Sequence, residues 1–310
     1  FLMLPVFVPD YGFRGGLWFA IFHSINSWNN AGFGLLSTNY INYQSSLLLN
    51  LVASVLIIFG GIGYRVIFEM FLWLRERLLN KSRRIVFSLN FKVAISTTIF
   101  LLAFGTVAFF LTEFENPGTL GSMNLENKLM AAWFQSVTTR TAGFNTIDIS
   151  KLTTTGLFLT IGLMFIGASP GGTGGGIKTT TLRVLFCCTK AILQGKEEVE
   201  LYQRQVPISL ILKAIGVLFG SVTTVIIALT LISLTDSKFD FIQLLFEVVS
   251  AFATVGLSTG ITASVSAWAK LVLIVTMYVG RVGILLLMAA LLGDPRPSAI
   301  HYPEENVLVG

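Results

Sequence analysis

Charge is what this chain has least of. Asp, Glu, Lys and Arg make up 12% of its 310 residues, about half of the roughly 25% carried by an average soluble domain. Three runs, Val93–Thr112, Leu152–Ile177 and Ala214–Thr235, go 20 or more residues with none. Roughly 20 apolar residues cross the ~30 Å hydrocarbon layer as a helix, so a soluble globular enzyme is excluded. The runs do not alternate polar with apolar, which excludes a transmembrane barrel. Cysteine is nearly missing. Cys187 and Cys188 are adjacent, cannot form a disulfide framework, and read as a core- or lipid-facing pair with no redox role. Histidine is as scarce, and His23 and His301 are too far apart to suggest a metal cluster. With no nucleophile–base pair and no metal-ligand spacing, the chain does not read as an enzyme, and no bound cofactor is expected. No signal peptide is visible. Phe1–Val8 reads as the last turns of a spanning helix stopped by Pro9-Asp10, as though the chain began partway through a larger pattern.

The charge that is present is unevenly spread. One basic stretch holds Arg75, Arg77, Lys81, Arg83, Arg84 and Lys92; another holds Arg183, Lys190, Lys196, Arg204 and Lys213, with Glu197, Glu198 and Glu200 among them. The connections near Asp10–Arg14, Glu113–Lys128 and Asp236–Asp240 are balanced or acidic. The positive-inside rule puts the two basic stretches in the cytoplasm and the other three outside. A merely solvated turn is compatible with this, since a cytoplasmic loop is one. The net charge of +5 is therefore read as multi-pass topology in the plasma (inner) membrane, with the lipid bilayer as partner and no nucleic acid.

Each outward connection is followed by a segment of about a dozen residues: Gly16–Trp28, Leu129–Thr139 and Phe241–Ala253. At ~1.5 Å per residue such helices are under 20 Å long, too short to span. They are expected to dip in and return, which is tolerated only inside protein or beside water. Each ends alike, in Asn30-Ala31-Gly32-Phe33, Thr141-Ala142-Gly143-Phe144 and Thr254-Val255-Gly256-Leu257. An aromatic residue stands ten positions before each glycine (Phe22, Trp133, Phe246), and the glycines are 111 and 113 residues apart. Three unrelated glycine caps are the plain alternative to an internal repeat. The repeat unit is helix, short helix, extended turn, helix. Its two spans give successive copies the same orientation, unlike inverted repeats, so they can surround an axis normal to the membrane.

The predicted fold is thus an all-α polytopic membrane protein of tandem helix–pore loop–helix repeats around a central pore, potassium-channel-like. A ring wants four turns and three are present, so the first of four repeats is expected to be absent from this chain. Residues 1–84 then carry the end of the first helix, the pore loop and the second helix of repeat 2. Residues 85–200 are repeat 3, 201–293 repeat 4, and 294–310 a cytoplasmic C-terminal tail.

The turns suit a cation filter. A crossing cation must trade water for oxygen, and rings of backbone carbonyls provide it. Glycine allows backbone angles closed to other residues, and the short helices aim their negative C-terminal ends at the ion path. The candidate cation ligands are the carbonyls of Asn30, Ala31, Gly32, Thr141, Ala142, Gly143, Thr254, Val255 and Gly256.

Leu152–Thr189 is helical in flavour but 38 residues long, or ~57 Å as one helix. At its middle stand Gly167, Ala168, Ser169, Pro170, Gly171, Gly172, Thr173, Gly174, Gly175, Gly176, Ile177 and Lys178. The five glycines of 171–176 and Pro170 make helix there costly by roughly 8 kcal/mol, so a break is expected, beside a water-filled cavity on the ion path. A flexible hinge without gating competes with a gate. A Walker loop does not fit, because Ile177 separates Gly176 from Lys178 and no strand precedes. Arg281 interrupts an otherwise uncharged run. A charge at a helix centre costs about 2.5–3.5 kcal/mol on insertion scales. It is either a positive barrier near the gate or an arginine snorkelling to an interface. Arg140 reads as a brace for its turn, and Arg65 with Glu69 as an i,i+4 structural pair.

The three glycine turns, Val137–Phe144 around the second, and the ending Tyr302–Gly310 resemble the Trk/Ktr/HKT superfamily of potassium transporters. Within it they are most similar to KtrB-type membrane subunits of bacterial Ktr potassium uptake systems. The resemblance implies potassium uptake with possible sodium activation, a homodimeric pore subunit, and a cytosolic nucleotide-binding regulatory ring of the KtrA type. It also implies that the segment 167–178 is an intramembrane gate and supports Arg281 as a barrier. A filter glycine or serine in the first repeat sorts potassium from sodium among plant relatives, so a sodium-coupled or sodium-transporting secondary transporter of the same fold stays open.

Overall fold

The computed structural model describes residues 1–79 and 86–292, the side chains of 291 and 292 apart. Lys81, Arg83, Arg84, His301 and the tail 294–310 with Tyr302–Gly310 lie outside the described residues. Among those described, the chain is helical except for one small hairpin: an all-α, multi-pass membrane protein.

Helix α1 (Leu4–Trp28) runs through Pro9 and breaks at Gly12, with φ 66° and ψ 175°. The expected stop at Pro9-Asp10 is therefore displaced. Proline removes a hydrogen bond but keeps helical φ, whereas a left-handed φ is open mainly to glycine. The two halves fold back on each other so closely that a Cβ on Gly16 would lie 2.8 Å from Val8, and Tyr11 stacks on Phe19 with centroids 4.2 Å apart.

Helix α2 (Leu47–Ile62) bends by 106° into α3 (Tyr64–Leu78) at Gly63, φ 95°. Helix α4 (Leu89–Glu113) is followed by α5 (Leu125–Thr138), which begins a turn earlier than the expected Leu129 because the Asn124 side chain accepts from the Asn127 N–H at 3.0 Å. Then come α6 (Thr154–Phe165) and α7 (Thr179–Leu193). Strands β1 (Glu200–Leu201) and β2 (Arg204–Gln205) form the hairpin. Helix α8 (Ile208–Thr235) precedes α9 (Phe241–Phe252), started by an Asp240/Gln243 capping box. Helix α10 (Ala267–Val282) bends by 94° into α11 (Ile284–Leu292) at Gly283, φ 86°. Helices α4 and α8 are long and apolar enough to cross a membrane alone, and each bent pair reaches that length and apolarity only as two halves taken together.

The short helices lie at the centre. Helix α9 buries Leu244, Phe246, Val248, Val249, Ala251 and Phe252 among α6, α8 and α10, and its polar residues Glu247 and Ser250, also buried, are hydrogen-bonded. Helix α5 packs on α4 and α2, and the second half of α1 on α2.

Three carboxylates tie helix starts to neighbouring elements. Each receives both the backbone N–H and the hydroxyl of a capping Ser or Thr: Glu69 from Ser88 (2.9 and 2.6 Å), Glu113 from Thr153 (3.1 and 2.6 Å), Asp236 from Ser266 (2.9 and 2.6 Å). The Arg65–Glu69 pair is thereby corrected. Glu69 is engaged with Ser88, and Arg65 bonds the Tyr64 hydroxyl at 3.2 Å. An exposed i,i+4 pair is worth only a few tenths of a kcal/mol, whereas a hydrogen bond to a charged group is worth ~1.5–3 kcal/mol, so the cap wins.

Candidate functional site

The three short helices end in the same backbone figure. Asn30 (φ 50°), Thr141 (φ 69°) and Thr254 (φ 53°) are left-handed, and so, two residues later, are Gly32 (φ 70°), Gly143 (φ 80°) and Gly256 (φ 89°). Six non-glycine residues have positive φ among those described, and half of them are these three. Two are threonines, for which that region is strained. The residue between is held by the helix end: Ala31 N–H to Asn26 O (3.0 Å), Ala142 to Thr138 O (3.0 Å), Val255 to Ser250 O (2.9 Å).

The figures converge with one sense of contact. The Val255 carbonyl lies where a side chain on Gly143 would be, and the Ala142 carbonyl lies 2.8 Å from a Cβ on Gly32. Gly256 has only the Gly143 Cα, at 3.9 Å. All nine sequence-predicted filter residues thus belong to three turns that touch in series, the second meeting both of the others. Beyond the second and third glycines the chain is braced again. The Thr138 hydroxyl donates to Phe144 O at 2.5 Å and the Ser250 hydroxyl to Leu257 O at 2.6 Å. Phe144 stacks on Tyr40, centroids 4.9 Å apart and 6° from parallel.

The glycine-rich segment leaves the α6–α7 span as a loop with a closed neck. Ile166 and Ile177 form a parallel bridge, with Gly167 N–H to Ile177 O at 2.8 Å and Ile177 N–H to Phe165 O at 3.2 Å. The break expected over 167–178 matches the gap between α6 and α7. The loop crosses to the α2–α3 bend, through Ser169 N–H to Gly61 O (2.9 Å), Thr173 N–H to Gly60 O (3.0 Å) and Tyr64 N–H to Gly171 O (3.2 Å). The Ser169 and Thr179 hydroxyls meet at 2.8 Å. The Pro170 carbonyl lies where a side chain on Gly63 would be, and the Gly61 carbonyl does the same at Gly172.

The loop also reaches the turns. Beside Gly174 stands the Thr141 side chain, its Cβ 3.0 Å from an added methyl; beside Gly175 stands the Ala253 carbonyl at 2.8 Å, with the Thr254 hydroxyl. Gly171 and Gly176 have left-handed φ of 76° and 68°. The glycines therefore serve close approach as well as the break. Two cations hold consecutive loop carbonyls: Lys178 Nζ donates to Gly174 O at 2.7 Å and the Arg281 guanidinium to Thr173 O. Arg140, 8% exposed, reaches Gly167 O (3.4 Å) and Thr98 O (3.5 Å), so it spans from its turn to the neck of the loop.

Four residues of the site were not read from the sequence. Gly60 and Gly280 press against the Trp28 and Phe252 carbonyls, each four residues before a turn glycine, and neither has room for a Cβ. The available signal was Gly-x-x-Gly, in Gly60–Gly63 and Gly280–Gly283, against Gly167–Pro170 in the middle copy. His23 and Glu247 both stand nine residues before a turn glycine. His23 Nε2 accepts from the Leu35 N–H at 3.4 Å. Glu247 Oε1 accepts from the Thr259 N–H (2.9 Å), the Thr259 hydroxyl (3.1 Å) and the Ser258 hydroxyl (2.7 Å), and Oε2 from the Thr262 hydroxyl (2.6 Å).

Residues 6–295 match the TrkH family, described as cation transport protein. The chain is 40% identical over 303 residues to the Ktr system potassium uptake protein B of Vibrio alginolyticus, covering 98% of this chain and 65% of that protein. It is 38% identical to the protein of the same name in Bacillus subtilis, covering 98% and 66%. It is also 38% identical to the potassium/sodium uptake protein NtpJ of Enterococcus hirae, covering 98% and 67%. The chain thus spans about two thirds of the length of these relatives. In fold it is similar to the potassium transporter TrkH from Vibrio parahaemolyticus, with TM-score 0.72 and 19% identity over 90% of this chain and 58% of that one. These relatives are transporters and not enzymes. A chain with three glycine-turned short helices, two bent spans and a looped third, matched over nearly its whole length, belongs to the TrkH family of cation transport proteins.

Proposed function

We propose that the whole protein carries potassium ions across the plasma membrane as the conducting subunit of an uptake system, and that this chain supplies three quadrants of its filter. The carrying observation is the handed contact of carbonyl on glycine from Val255 to Gly143 and from Ala142 to Gly32. Continued around an axis, that order leads from Ala31 to a fourth glycine and from a fourth carbonyl to Gly256. A closed cage of carbonyls is what replaces the hydration shell of potassium. Names given to the relatives from Vibrio alginolyticus and Bacillus subtilis support the choice of ion. Potassium is substrate here, with sodium as a candidate activator and no other cofactor.

The glycine-rich loop, with Lys178 and Arg281, is the proposed gate, because it rests against the first residues of two turns. The basic stretches face the cytoplasm under the positive-inside rule, where a KtrA-like nucleotide-binding ring would dock, and the subunit works as a homodimer. Sodium transport is the second reading, favoured by the name of the Enterococcus hirae relative. The test is expression of the full-length protein in bacteria stripped of their own potassium uptake. Growth at low potassium, with saturable rubidium uptake, is the expected result. Protein present in the membrane without either overturns the proposal.

A further inference from the structure

We infer that Glu247 is a positioning residue that sets the spacing of the carbonyl cage, and so its choice between cations, with His23 as its weaker counterpart in another turn. The inference rests on the filter reading above. Each filter strand is pinned at its inner end by the end of its short helix, through the Val255 N–H to Ser250 O bond and its equivalents. The outer end needs a pin of its own, or the carbonyls between would drift. In the α9 copy that pin is the Glu247 carboxylate, 6% exposed, which grips Ser258, Thr259 and Thr262 with both oxygens.

The position is systematic. Nine residues before the glycine stand His23, Phe134 and Glu247; three residues after it stand Leu35, Thr146 and Thr259. In the first and third copies the earlier side chain accepts the N–H of the later residue. In the middle copy Phe134 offers no acceptor, and the strand is held from outside by the Tyr40 N–H to Asn145 O bond at 3.1 Å and by the Tyr40–Phe144 stack. One pin of the three is therefore a carboxylate with four bonds, each worth more than a neutral one. It is the stiffest of them.

Glu247→Gln keeps the shape but loses the charge and turns one acceptor into a donor. In the full-length protein the measurement is the ratio of potassium to sodium flux, with protein level and thermal stability recorded alongside. The control is Glu113→Gln, a fully buried carboxylate whose four bonds go to Asn116, Thr119 and Thr153 and to none of the filter-turn residues. The expected result is a potassium-to-sodium ratio at least tenfold lower in Glu247→Gln and unchanged in Glu113→Gln. An unchanged ratio in Glu247→Gln, or an equal fall in both variants, overturns the inference. Where Glu247→Gln does not reach the membrane, Thr262→Val, which takes away the 2.6 Å bond to Glu247 and the 2.8 Å bond between the Ser258 and Thr262 hydroxyls, is read by the same ratio in the same sense. A wild-type protein that prefers sodium would overturn the potassium reading alone, because the shift in ratio still reports the pin.

Discussion

The carboxylate of Asp236, at the end of α8, grips Ser266 at the start of α10 by its backbone N–H (2.9 Å) and by its hydroxyl (2.6 Å). The two helices on either side of the α9 turn are thereby joined at one edge, and Glu113 with Thr153 does the same across the α5 turn. Carboxylates placed this way close the units around α5 and α9, each about its short helix.

This clamp gives stability a pH dependence of definite sign. The Ser266 hydroxyl bond holds the Asp236 carboxyl below the usual carboxylate range. A depressed folded-state value means that the contribution is complete above the unfolded value of ~3.9 and is lost as pH falls through the folded value. Thermal unfolding should therefore drop below about pH 4 in wild type. Asp236→Asn should lower the midpoint by a few degrees at neutral pH and flatten the acid limb. Equal acid sensitivity in both proteins counts against the clamp.

Gly143→Asp should abolish potassium uptake while leaving the protein in the membrane, because the Val255 carbonyl occupies the space a side chain needs. Gly256→Asp should also lower uptake strongly, through its φ of 89°, although it meets nothing closer than 3.9 Å. Gly143 should be the more severe of the two. Wild-type uptake and selectivity in both would sink the filter assignment.

Arg281→Ala removes a positive charge from beside the loop and frees the Thr173 carbonyl. Flux should rise severalfold at equal protein level. Unchanged flux favours an arginine that merely snorkels.

Deleting 171–176 should raise potassium flux and keep ion preference. The neck at Ile166–Ile177 and the Thr179 N–H to Ala168 O bond (3.3 Å) lie outside the deletion, so α6 and α7 keep their ends. Regulation by a cytosolic partner should weaken as well. Loss of all flux in a folded, dimeric protein would mean that the loop builds the path instead of closing it.

Gly280→Ala should destabilise by about 1–3 kcal/mol, the range for overpacking a close contact, because the Phe252 carbonyl fills the site of the new methyl. Thermal unfolding of purified protein checks this. Gly162→Ala, with open space around it, is the comparison and should be neutral or better.

Much of the architecture was legible because the membrane makes long signals. Uncharged runs mark spans, helices too short to cross must turn back, and three glycine tetrapeptides at nearly equal period outweigh chance. The misses fall where a local signal competes with another local signal or with a partner that the local sequence does not show. Pro9-Asp10 and Gly12 both punctuate α1, and the decision rests with the φ of 66° needed to reverse the chain. Glu69 has Arg65 four residues away and Ser88 nineteen away, and nothing local reveals the second. Glu247 is invisible for the same reason, since its meaning comes from Ser258, Thr259 and Thr262 on the returning strand. The bends at Gly63 and Gly283 follow from glycines that a hydropathy reading passes over.

The neck between Ile166 and Ile177 makes the glycine-rich segment a side branch of its span, not a link in it. Tension along α6 and α7 passes through the neck, so the branch can swing clear of Thr141 and Thr254 without either helix changing length. What resists the swing is a few bonds to Gly60, Gly61, Tyr64 and Arg281, of order 1 kcal/mol net each and ~1.5–3 kcal/mol for the guanidinium, and ~5.5 kcal/mol is enough to invert a two-state population. A push arriving along α7 would then change how often the branch stands aside while leaving the carbonyl cage as it was. On the proposed gate and filter, throughput and discrimination would be separately adjustable.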